Sequence, residues 1–175
     1  MNNPPFYGAD VSKVTTGGVT GSIASASNFT GANTSIVSSS STSPLTSGMS
    51  QELWFKTTGN TGGKLIGYGN KKDTNSTTTD RNVYLTNAGK VVFGVYSGKA
   101  RTVISPKAYK DGAWHHLVAT LGDDGMKLYV DGELVGSNAD ITAGRLFSGY
   151  WRIGGDIIIG WPSNPSDSYF TGQLN

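Results

Sequence analysis

The segment Asp111 to Ser137, DGAWHHLVATLGDDGMKLYVDGELVGS, leaves the chain little choice of fold. Trp114 to Leu121 alternates apolar with polar or small residues and reads as a half-buried strand. Gly122-Asp123-Asp124-Gly125 supplies a turn, and Met126 to Val130 a second strand in which Lys127 and Tyr129 face away from the apolar set. Asp131-Gly132 then offers two residues that tolerate positive φ, the signature of a type I′ hairpin, before Glu133 to Ser137 returns. Three strands in a meander cannot bury their apolar faces alone, so they require a second layer.

The rest of the chain is punctuated in the same way. Ser50 to Thr57 is a strand with Leu53 and Phe55 on its core side and Glu52, Trp54 and Lys56 opposite. Gly62 to Tyr68 forms a strand that runs into the polar loop Asn70 to Asp80. Asn82 to Leu85 pairs with Lys90 to Tyr96 across Asn87-Ala88-Gly89. Lys99 to Ile104 is a short strand closed by Pro106, and Ser148 to Gly154 another. Gly21 to Thr30 and Ala32 to Ser39 suggest a hairpin around Gly31, and the Ser/Thr run 38 to 47 a loop. Residues 139 to 147 allow at most a short helical turn, and the loop 161–167 holds Pro162 and Pro165. No segment carries a capped 3.6-residue period. About a dozen short, evenly spaced strands specify an all-β sandwich or barrel.

Composition narrows the chemistry. The 175 residues suit one domain with its own core. The 25 glycines fit a turn-rich chain, and a net charge of +2 gives no reason to expect nucleic acid. Without cysteine there are neither disulfides nor thiolate metal sites. No apolar run approaches the roughly 18 residues of a membrane span.

The run Asp111-Gly-x-Trp114-His115-His116-Leu-Val-Ala-Thr120, followed by Leu128-Tyr-Val-Asp131-Gly132, resembles the laminin G-like domains of the concanavalin A-like lectin/glucanase superfamily. Glu52-Leu-Trp54-Phe55-Lys56-Thr57 before it, and Tyr150-Trp-Arg-Ile-Gly154 and Phe170-Thr-Gly-Gln-Leu174 after it, match the same pattern in the same order. The resemblance covers residues 20–175, with 1–19 as a lead-in packed on the sandwich edge. It implies a jelly-roll β-sandwich of two antiparallel sheets. It also implies an extracellular or cell-surface module within a larger protein that recognises carbohydrate or a protein partner, in many relatives with calcium. In the family the Phe-x-Gly-x-Leu segment continues through an acidic pair and a further apolar strand. The sequence in hand stops at Asn175, so the resemblance raises an alternative: a split sandwich whose C-terminal edge takes a β-strand in trans from a peptide or a neighbouring chain.

The candidate chemistry is sparse. His115 and His116 are neighbours on a strand and face opposite sides, which suits packing and not a shared metal. The two glutamates, Glu52 and Glu133, share no strand, whereas retaining glucanases in this superfamily set their carboxylates about 5 Å apart. With no nucleophile elbow either, a glycan-active enzyme is the weakest of the readings, and no catalytic residue is expected. Calcium needs roughly six to eight oxygens. The loop Asn70 to Asp80 offers Asp73, Asn75 and Asp80, and Asp10 is a further candidate, since family calcium sites can join the two chain ends. For a saccharide, flat rings cover apolar sugar faces while polar neighbours take the hydroxyls. Trp54, Tyr96, Tyr150, Trp151 and Trp161 are the candidates, Trp161 being the one expected to stand exposed in its Gly-Pro loop and Trp114 the least exposed. Lys99, Arg101, Lys107 and Lys110 form the one local basic excess, expected to guard an edge strand.

Overall fold

The structure, a computed structural model, describes residues 6–7, 12–14 and 26–175. In chain order the strands begin with β1 (Phe6–Tyr7), β2 (Ser12–Val14), β3 (Ala26–Thr30), β4 (Val37–Ser38) and β5 (Ser43–Pro44). The long central strands follow as β6 (Met49–Lys56), β7 (Gly63–Gly69), β8 (Thr79–Leu85), β9 (Lys90–Ser97) and β10 (Lys99–Ala108). The remainder are β11 (His115–Gly122), β12 (Gly125–Val130), β13 (Glu133–Asn138), β14 (Ser148–Ile153) and β15 (Thr171–Leu174). No helix occurs among the described residues. They build two antiparallel sheets, one ordered β1-β4-β14-β7-β8-β9-β10 with β5 attached to β14, the other β13-β12-β11-β6-β15-β3-β2. This is the jelly-roll sandwich expected of the sequence.

The meander is realised as read. β11 pairs with β12 from Leu117↔Val130 to Gly122↔Gly125, and β12 with β13. Asp131 and Gly132 take φ of 55° and 81°, as a type I′ turn requires. Alternation decides which side chains meet between the sheets. Leu53, Phe55, Leu117, Ala119, Leu121, Leu128 and Val130 come from one sheet, and Leu65, Val83, Phe93 and Val95 from the other. Each such side chain contributes about 1.5–3 kcal/mol by leaving water, so a one-residue slip of any long strand is prohibitive.

Three local expectations fail, each for a tertiary reason. The strands on either side of Gly31 do not pair. β3 joins β15 and β2, while β4 joins β1 and β14 in the opposite sheet, so Gly31 marks a crossing between layers and not a hairpin. Nor does β10 stop before Pro106; it runs on to Ala108 with its register broken between Ile104 and Ala108. Proline is tolerated because β10 is the outer strand of its sheet. There Ser105 Oγ accepts the Val91 N–H at 2.9 Å and donates to Lys107 O at 2.8 Å, a side chain standing in for the missing ladder bond. Finally, β15 is not at an edge. It lies between β6 and β3, and the backbone of Asn175 exchanges hydrogen bonds with Trp54 at 2.8 and 3.0 Å.

A second, smaller core lies on the outer face of the β7–β10 sheet. The segment between Gly154 and Phe170 crosses this face as a strap and buries Tyr84, Val92, Ile158 and Trp161 beneath it. Trp161 is only 8% exposed. Its ring lies on Gly94, where a Cβ would come within 2.8 Å of two indole carbons, and its Nε1 donates to Thr79 Oγ1 at 3.3 Å. Tyr84 OH donates to Pro162 O. The exposure expected of Trp161 was therefore wrong. Burying an indole removes roughly 150–250 Å² of surface, worth several kcal/mol at ~25 cal/mol per Å², which outweighs any local loop preference.

Candidate functional site

Two hollows open at one end of the strapped face, and both are lined by Tyr96 and Arg145. One, of about 300 Å³, is completed by Ser97, Gly98, Ala143 and Gly144. The other, of about 160 Å³, runs past Ser76, Thr77, Thr78 and Thr79 to Ile157, Ile159 and the edge of Trp161. Between them the guanidinium of Arg145 lies over the Tyr96 ring, 3.8 Å from its centroid. Ile159, 73% exposed, adds an apolar wall.

One carboxylate assembles this pair. Asp80, fully buried at the start of β8, accepts the Tyr96 N–H on Oδ1 at 3.0 Å and the Arg145 N–H on Oδ2 at 2.7 Å. The same two oxygens take the Arg81 N–H at 2.6 Å and Arg81 Nη1 at 2.9 Å. Arg81, also buried, uses Nη1 to hold Arg145 O at 2.8 Å and Nη2 to hold Thr46 O at 2.9 Å. Gly144 must be glycine here, since a Cβ would sit 2.3 Å from Arg81 Nη1. Burial pushes the Asp80 carboxyl up, against the backbone N–H of Tyr96 and the Arg81 charge, which pull it down.

A second buried charge cluster lies under the strap. Lys64 Nζ is 3.6 Å from Asp156 Oδ2, with Arg152 Nη1 at 4.0 Å from the same oxygen. Arg152 Nη1 donates to Lys71 O at 2.8 Å and to Thr74 O at 2.7 Å, and Asp156 Oδ1 accepts the Ser76 N–H at 3.0 Å. The Asn70–Thr78 loop is thus fastened by an internal cation and an internal anion. Lys64 Nζ and Asp156 Oδ2 have no hydrogen-bond partner, and burial pushes the Lys64 ammonium down to about 8, with Asp156 opposing.

That loop does not fit calcium. Asp80 spends both oxygens on N–H donors and Arg81, Asn75 Oδ1 accepts from Tyr169 OH, and two loop carbonyls already face the Arg152 guanidinium. Asp73 stands exposed. Among the described residues no group of three or more His, Cys, Asp or Glu side chains is placed to hold a metal ion. Asp10 lies outside the described residues.

The aromatic candidates separate. Tyr96 and Trp161 meet at the smaller hollow. Trp54 belongs to the opposite sheet and stacks on His116 at 4.7 Å, whose Nε2 meets Glu52 at 2.7 Å. Trp151 packs edge-on against buried Tyr68 at 5.3 Å, and Tyr150 is half-buried beside it on β14. Trp114, expected to be the least exposed, is half-buried, whereas Trp161 is buried. His115 is held between Asp131 at 2.8 Å and Asp111 at 3.0 Å and packs on Phe55 and Tyr109, a scaffold position. Lys99, Arg101 and Lys107 stand exposed on the outer strand β10, and Lys110 Nζ bonds Asn60 Oδ1 at 2.9 Å. Arg145 went unmarked in the sequence because it lies in an irregular segment with no motif around it.

The family model for the concanavalin A-like lectin/glucanases superfamily, of laminin G type, matches residues 29–175. The chain therefore belongs to the laminin G-like family of that superfamily. Its fold is similar to that of the heptameric SAP-like pentraxin of Limulus polyphemus, with 18% identity and a TM-score of 0.57 over 95% of this chain and 73% of that one. Domain 4 of AbnA, an extracellular arabinanase of Geobacillus stearothermophilus solved with arabinotriose, gives 16% identity and a TM-score of 0.57 over 94% and 79%. Domains LG4-5 of the mouse laminin α1 chain give 21% and 0.54 over 86% and 39%. No curated protein matches the sequence significantly.

Proposed function

We propose that this chain is a non-catalytic carbohydrate-recognition module, displayed outside the cell as part of a larger protein, and that it takes saccharide at the Tyr96–Arg145 face. The observation that carries this reading is the stacked pair between two hollows, with the hydroxyls of Thr77 and Thr78 on one side and exposed Ile159 beside them. Such a surface offers a ring-sized apolar contact next to hydrogen-bonding groups, which is what a sugar presents in complement. The saccharide-bound arabinanase domain of similar fold agrees with it. Among the described residues no pair of carboxylates at this face is arranged for glycoside cleavage, since Asp80 is buried and saturated. A glycan array followed by titration calorimetry tests the reading. Tyr96→Ala is expected to weaken the best saccharide at least tenfold while Trp54→Ala, on the opposite sheet, leaves it unchanged; the reverse pattern would place the site elsewhere.

A further inference from the structure

Arg145 differs from the other arginines with which the structure pins its loops. Arg81 and Arg152 are buried and spend their guanidinium donors on Asp80 and on carbonyl oxygens. Arg145 is only partly buried, and among the described residues no carboxylate lies within ion-pairing distance of its guanidinium. Its backbone is nonetheless fixed on both sides, by Asp80 at the N–H and Arg81 at the carbonyl. The Tyr96 ring beneath it hangs from the same Asp80.

Stacking on a ring uses a face of the guanidinium and leaves its N–H donors free in the plane. Arg145 lines both hollows, and its guanidinium lies over the Tyr96 ring that lines them too. A cation held in place with its donors unspent matches a planar carboxylate, which accepts two parallel, charge-assisted N–H bonds from the guanidinium fork; a neutral hydroxyl offers the same fork one uncharged oxygen. Asp80, which holds the Arg145 backbone, is saturated and shielded, so it does not compete.

We infer that the Tyr96–Arg145 face reads an acidic sugar, the carboxylate of a uronic or other carboxylated saccharide pairing with Arg145. This rests on the carbohydrate reading above and names the class of its ligand. The test changes the ligand first and then single side chains of the protein. The full chain is presented with an array of uronate oligosaccharides, their methyl esters, sulfated oligosaccharides and neutral oligosaccharides, and the hits are titrated at low and moderate salt. Uronates should dominate, and esterification should weaken binding at least tenfold. Arg145→Gln should abolish the preference for the free acid over its ester, with Arg145→Lys retaining part of it. Tyr96→Phe should bind like the parent. If ester and acid bind equally, or neutral sugars dominate, the acidic inference falls while the carbohydrate reading stands. Preferred sulfated ligands would overturn the carboxylate assignment, and an array without hits would overturn both readings.

Discussion

Arg81 and Arg152 occupy comparable positions, each buried beneath the surface of one sheet beside an aspartate, yet their surroundings differ in one respect. Around Arg81 nearly every charge ends in a hydrogen bond: Asp80 accepts from Arg81, Tyr96 and Arg145, and Arg81 Nε alone is left without a partner. Around Arg152 two cations share one carboxylate oxygen at 3.6 and 4.0 Å, and Lys64 Nζ, Asp156 Oδ2 and Arg152 Nε all lack partners. The first cluster can be stiff, because directional bonds fix its geometry. In the second, directional bonds run from Arg152 and Asp156 to the loop, but the contact between Lys64 and Asp156 is held by proximity and burial, and its cost falls on Lys64. Buried charge organises a site where it is bonded, and elsewhere it only fastens a loop.

The largest effect that would sharpen this contrast is expected at Asp80. Asp80→Asn removes the anion, leaves Arg81 uncompensated and should destabilise the fold by about 3–5 kcal/mol in denaturant titration, with saccharide binding lost in the folded fraction. A cost near zero would mean that the two clusters are alike.

Lys64 should give the next largest effect, and it should depend on pH. Its folded value near 8 lies below the 10.5 of a free lysine. Below pH 8 both states hold the proton and the fold carries the full burden of a buried cation. Between about 8 and 10.5 the folded state releases its proton first, so stability rises with pH, by about 3 kcal/mol at most. Burial pushes the Tyr84 and Tyr169 phenols up, which opposes the rise above about pH 10, so the clean window is pH 8 to 9.5. Thermal melts should show the climb in the parent and its absence in Lys64→Met, which at pH 7 should melt no lower than the parent because Asp156 keeps Arg152 nearby. A Lys64→Met variant that unfolds at neutral pH would show that the ammonium is a stabilising partner after all.

The smallest effect concerns calcium. Because Arg152 already supplies the cation to the carbonyls of Lys71 and Thr74, the melting temperature should be the same in millimolar calcium and in excess chelator. A rise of several degrees with calcium would break the assignment of that loop.

What could be read without coordinates follows from how local each signal is. The β11–β13 meander and the β8–β9 hairpin were legible because side-chain alternation and turn residues lie within a few positions of one another. The layer crossing at Gly31 was not, because β3 and β4 each take one partner from a strand more than a hundred residues away. The same holds at the site. Tyr96 could be named as an aromatic candidate, but its seat under Arg145 depends on a hydrogen bond between Arg145 and Asp80 across 65 positions, and nothing near either residue announces it. Asp80 itself was noticed for its oxygen atoms and assigned to a metal. The atoms were the right ones to notice, but their partners are backbone N–H groups and a guanidinium. Trp161 misled for a related reason, since only the absence of a side chain at Gly94 makes room for its ring.

That a single carboxylate seats both the ring and the cation has a consequence for how such a module can diversify. A lineage carrying it cannot adjust the aromatic floor and the charged arm independently, because both inherit their position from Asp80. Variation that preserves folding must then fall on the rims, at Ser97, Gly98 and Ala143 on one side and Thr77, Thr78 and Ile159 on the other. Substitutions at the rims can then alter the ligand without moving the anchor.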